Sequence, residues 1–116
     1  MEVVIKIISI FNDNNVLSHL HFTTSYDVNG RFKTKEDEKL FFNNLVLIRK
    51  VFPELNIFVN SILTKHMCDC INNNSFNVND FQQKWNVNVN IIPYIVKDQI
   101  LAPTRNELFK ALKCIF

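Results

Sequence analysis

From residue 19 onward the apolar positions run through the same change of period three times. A β-branched or aromatic run gives way to a polar break, then to residues spaced for one helical face, then to another run. The first strand is predicted over residues 19 to 26, with His19, His21, Thr23, Ser25 and then Asp27 on one side and Leu20, Phe22 and Tyr26 on the other. Its helix starts at Thr34, whose hydroxyl can cap the first turn while Asp37 answers from three residues on. Phe41, Leu45, Ile48 and Phe52 form one apolar stripe on it, Lys35, Glu36, Glu38 and Lys39 stay in water, and Pro53 ends it.

The second strand is expected over residues 56 to 64, and the stretch KHMCDCINNNSFNV after it reads as a loop holding at most one irregular turn. A short helix follows near residues 80 to 85. The third strand spans 87 to 95 and carries Pro93, which cannot donate to a ladder and so marks a strand end or a bulge. Thr104 and Glu107 form a capping box, and Leu108, Leu112 and Ile115 make the buried stripe of a last helix. Residues 3 to 11 fit either period. Val3, Val4, Ile5, Ile7, Ile8 and Ile10 favour a strand by propensity, while the spacing through Phe11 also fits a helical face.

Strands alternating with helices at this spacing predict an α/β domain: three βα units in an open, mostly parallel sheet with helices on one face. The 116 residues fit one domain, residues 1 to 116. No apolar run approaches the roughly 20 residues of a membrane helix, and MEVVIKIISIF lacks the basic start of a secretory signal, so a soluble, cytoplasmic protein is expected. Three cysteines there are expected to be reduced thiols. A net charge of +2 is too small for a phosphate-tracking surface, and a single glycine excludes a glycine-rich phosphate loop. The many asparagines, with Ile, Phe and Lys also frequent, fit an AT-rich genome of a low-GC bacterium or one of its phages.

HLHFTTSYD, FPELNIFVNSILTK and VNIIPYI, in that order and spacing, resemble the fourth, fifth and sixth strands of the radical S-adenosylmethionine enzymes, whose six βα units form a partial barrel. The resemblance covers residues 15 to 116 and makes residues 2 to 11 the helix that feeds the fourth strand. It implies that Ser25 and Asp27 sit where that family holds the ribose or amino-acid end of S-adenosylmethionine. Asn60 and Leu63 would flank the cofactor from the next strand, and Ile92 or Tyr94 from the last. The Cys-x-x-x-Cys-x-x-Cys run that ligates the family's cluster is absent from this sequence, as is its Gly-Gly-Glu-type stretch. Without cluster thiolates there is no centre to reduce a sulfonium, so the chain alone is expected to be non-catalytic and to hold no cofactor.

Two further groupings carry chemistry. His66, Cys68 and Cys70 offer soft ligands within five residues, but a tetrahedral site needs a fourth, and the expectation is a loop of reduced thiols with no metal. Arg31, Phe32, Lys33 and Lys35 form a basic loop with one aromatic just beyond the first strand, a candidate contact surface for a partner or for RNA.

Three parallel strands cannot close, which leaves edges that invite pairing and a face that needs cover. The chain can meet that need as a homodimer, as half of a split radical S-adenosylmethionine enzyme, or by binding an unrelated protein. The expectation is the last of these: a binding module, of the kind phages use as anti-CRISPR inhibitors, acting on a host protein or ribonucleoprotein nuclease.

Overall fold

The computed structural model describes residues 1–28, 32–93 and 102–115. At its centre lies strand β2 (Ile57–Leu63), hydrogen-bonded in parallel to β1 (Phe22–Ser25) on one side and β3 (Asn88–Pro93) on the other. Helix α1 (Glu2–Asp13) and a 3-10 turn (Leu17–His19) precede β1. Helix α2 (Lys35–Val51) joins β1 to β2, α3 (Lys65–Asn72) and α4 (Val78–Trp85) join β2 to β3, and α5 (Arg105–Ile115) follows β3. Spatial order equals chain order because each helical crossover returns the chain to lay the next strand beside the last. The fold is α/β with an open three-stranded parallel sheet, as the alternation of periods requires.

The period-two pattern of β2 decides where the core lies. Ile57, Val59, Ser61 and Leu63 are fully buried, while Phe58, Asn60 and Ile62 between them are half-buried. On the buried side they meet Ile8 of α1, Leu45 and Ile48 of α2, Met67 and Cys68 of α3, Phe81 of α4 and Ala111 of α5 in one cluster. Each such aliphatic side chain removed from water contributes roughly 1.5–3 kcal/mol. Ser61, the one buried polar side chain among the described residues, is satisfied by donating its hydroxyl to the carbonyl of Tyr26. On the opposite side the register lines up Thr23, Phe58 and Asn88, then Ser25, Asn60 and Asn90. There Thr23, Asn88, Asn90 and Ile92 remain exposed.

Side-chain caps explain where the helices begin. Thr34 accepts the Asp37 N–H at 3.1 Å and Asn77 accepts that of Asp80 at 3.0 Å. Before α5 the capping box is reciprocal: Glu107 N–H donates to Thr104 Oγ1 at 3.2 Å and Thr104 N–H to Glu107 Oε1 at 3.0 Å. The α2 stripe packs as its spacing predicts, with Leu45, Ile48 and Phe52 buried and Phe41 against them. The N-terminal segment is the helix of its two readings.

Three expectations are corrected. The stretch after β2 is not a loop: Thr64 accepts the Met67 N–H at 3.2 Å and starts α3, which buries Met67, Cys68, Cys70 and Ile71. Strand β1 begins at Phe22, because Leu17–His19 closes a 3-10 turn with His19 N–H donating to Val16 O at 3.0 Å. In α5 the fully buried residue is Ala111, while Leu108, Leu112 and Ile115 are partly buried. The end expected for the third strand, residues 94 and 95, lies outside the described residues.

Glu107 also grips Lys65 Nζ at 2.9 Å and so ties α5 to α3. The Lys65 hydrogen bond, then those from Thr104, hold its carboxyl at about 2, below the ordinary 4.5. A depressed carboxylate supplies stability above its unfolded pKa and loses it as pH falls through the folded value. The thermal midpoint should therefore drop as pH is lowered from about 4.5 to about 2, and Glu107→Gln should flatten that slope, checked by melting curves across that range.

Candidate functional site: the open face of the sheet

At the C-terminal end of β1 and the middle of β2 and β3, Ser25, Asn60 and Asn90 stand side by side on the face that the described residues leave open, one from each strand. Asn90 Nδ2 donates to Asn60 Oδ1 at 3.2 Å, which fixes both amides in one orientation. Further down, the His21 ring lies 5.9 Å from that of Phe58. The upper row presents a hydroxyl and two amides at one height, and it contains no ionisable group.

Asp27 has a different task. Tyr26 N–H donates to Asn60 O at 3.0 Å as the last ladder bond from β1, and Asp27 Oδ1 then accepts the Ile62 N–H at 3.0 Å. The carboxylate stands in for the ladder carbonyl that β1 no longer supplies, so β2 keeps its pairing one step past the end of its neighbour. Asp27→Ala should cost about 1–3 kcal/mol by orphaning that amide, and Asp27→Asn, which keeps an acceptor, should cost less. Urea denaturation of the two variants measures the difference.

No protein-family model, characterised protein or solved structure matches the chain.

What the face can do follows from its own chemistry. Neutral donors and acceptors on three adjacent strands suit hydroxyl or amide groups of a polar ligand, or the polar lining of a larger enclosure. Ser25 and Asn60, singled out in the sequence, are brought together here, and Asn90 joins them through the register of β3.

Of the basic loop, Phe32, Lys33 and Lys35 fall within the described residues. Arg31 lies outside the described residues. Phe32 is half-buried, its ring 6.1 Å from Tyr26 and 5.3 Å from Phe41, while Lys33 and Lys35 are exposed. Lys35 borders an open groove of about 480 Å³ shared with Glu38, Lys39, Phe42, Asn43 and Trp85.

On α3, His66 Nε2 lies 3.6 Å from Cys70 Sγ, one helical turn on. Cys68 is buried in the core, and burial, with Glu107 and Asp69 adding to it, pushes its thiol up to about 11. Among the described residues no three His, Cys, Asp or Glu side chains converge to hold a metal ion. His19 and His21 are both exposed, His19 on the 3-10 turn.

Sequence reasoning missed two features that shape the surroundings. Phe42 stacks on Trp85 with centroids 4.3 Å apart, joining α2 to α4. Arg49 donates to the carbonyls of Pro53, Leu55 and Asn86, joining the end of α2 to the starts of β2 and β3. Their only linear signals are an aromatic in each of two helices and a basic residue in the last turn before a proline.

Proposed function

We propose that the protein is a non-catalytic protein-binding module whose open parallel sheet is completed by another protein. The observation that carries this reading is the exposure of Thr23, Asn88, Asn90 and Ile92 on the sheet face opposite the core. Parallel sheets normally have both faces covered. A second uncovered surface supports the same reading: Val3, Ile7 and Ile10 repeat along the outward side of α1 at 68%, 50% and 62% exposure. Within this reading the partner class is a host nucleoprotein, the protein acting as a phage or mobile-element inhibitor, with exposed Lys33 and Lys35 available to a nucleic-acid-bearing surface. The test is affinity capture from host lysate with the wild type and two arginine variants. Asn90→Arg, on the open face, should release the partner and Gln83→Arg, exposed on α4, should keep it; a partner indifferent to Asn90→Arg removes the reading.

The row Ser25, Asn60 and Asn90 favours a second reading, the cofactor-flanking half of a split radical S-adenosylmethionine enzyme. These groups would hold the hydroxyl and amino-acid end of the cofactor, and the cluster would come from the partner chain. Calorimetry separates the two readings. Binding of S-adenosylmethionine by this chain together with a cluster-bearing half supports the second, and indifference of that pair to the cofactor removes it.

A further inference from the structure

The two outer strands of the sheet differ in what their edges offer. In β1, Phe22 N–H and Tyr26 N–H donate to Asn56 O and Asn60 O of the β2 segment, so by strand alternation Thr23 and Ser25 turn their N–H and C=O groups away from the sheet. No hydrogen bond engages those outward groups among the described residues. On β3 the outward positions are Val89, Ile91 and Pro93. Val89 N–H is capped by Gln82 Oε1 of α4 at 2.9 Å, and Pro93 has no N–H to give. The β3 edge is blunted in the manner of protected edge strands, whereas β1, though only four residues long, keeps its outward groups without a hydrogen-bond partner among the described residues.

Resting on the protein-binding reading, we infer that β1 is the edge through which a second copy of this chain associates, antiparallel about a two-fold axis beside Thr24. The edge is self-complementary. Thr23 of one copy and Ser25 of the other each present one donor and one acceptor, and the reciprocal pair does the same. Residues 22 to 26 carry no charged side chain to oppose the approach. As a whole, without marking any one edge, the chain exposes 8108 Å² where a compact monomer of its mass exposes about 6,600 Å². Its radius of gyration is 16.0 Å against about 13 Å for a compact domain of this length. A standard interface takes about 800 Å² from each partner, so dimerisation leaves exposed surface for another protein.

The test is amide hydrogen exchange across a protein concentration series, paired with sedimentation equilibrium. The Thr23 and Ser25 amides should slow about tenfold or more as the dimer forms, and the Ile91 amide should not change. Ser25→Pro removes an outward N–H without touching the β2 ladder and should abolish the dimer. A monomer at every concentration overturns the inference, and so does a dimer in which Thr23 and Ser25 keep exchanging fast; the wild-type exchange data decide even where the proline variant fails to fold. A monomer that still captures a partner through Asn90 removes this inference and leaves the protein-binding reading standing.

Discussion

Tyr26→Ala should cost about 3–5 kcal/mol of folding stability, a large share of what a domain of this size has. Tyr26 follows β1 directly, is 6% exposed, and is the hub of the aromatic packing. Its ring lies 5.8 Å from Phe41 and 5.2 Å from Phe42 on α2, 5.2 Å from Phe81 on α4, and 6.4 Å from Phe76 before α4. Removing it opens a cavity beneath two helices and forfeits contacts that add to plain burial. The phenol also donates to Glu38 Oε1 at 3.1 Å, and burial, with Glu38 adding to it, holds it protonated well above the ordinary tyrosine range. Tyr26→Phe keeps the rings and loses that bond, for about 1 kcal/mol. Urea unfolding followed by Trp85 fluorescence measures both, and equal losses from the two variants would mean that the hydroxyl and not the ring holds the cluster.

Arg49→Ala should cost about 3 kcal/mol. The guanidinium donates to Leu55 O at 2.7 Å, to Pro53 O at 2.9 Å and to Asn86 O, so one side chain ties the turn into β2 to the turn into β3. Asn86 sits at φ 52 in the left-handed region, and its carbonyl is presented to Arg49 from that bend. Truncation leaves these carbonyls without their shared donor, where charged hydrogen bonds are worth about 1.5–3 kcal/mol each before losses overlap. Arg49→Lys should recover less than half of the loss, because an ammonium cannot reproduce a planar fork. The check is thermal denaturation of the two variants; full rescue by lysine would show that charge alone suffices.

Much of this architecture is written in the periodicity. The stripe Phe41, Leu45, Ile48 and Phe52 and the caps at Thr34 and Thr104 are local devices, and local devices survive in a linear string. The α3 segment did not read as helix because its buried positions are Met67, Cys68, Cys70 and Ile71, and cysteines grouped with a histidine suggest ligands where the fold uses them as small apolar side chains. Thr64 before Lys65, with Met67 three residues on, was the available cue. At the open face, Ser25 and Asn60 follow from strand alternation, whereas the commitment of Asp27 to Ile62 N–H depends on a register between segments 35 residues apart. Arg49 is hidden for the same reason, since its acceptor at Asn86 lies 37 residues away.

Everything proposed for function rests on a parallel sheet with one face packed and the other open. Solvent paramagnetic relaxation along β2 tests this most directly. A soluble gadolinium chelate should relax the side chains of Phe58, Asn60 and Ile62 strongly and those of Ile57, Val59 and Leu63 weakly, a period-two alternation across the strand. Uniform protection of all six side chains would mean that both faces are already sealed, and would contradict the account.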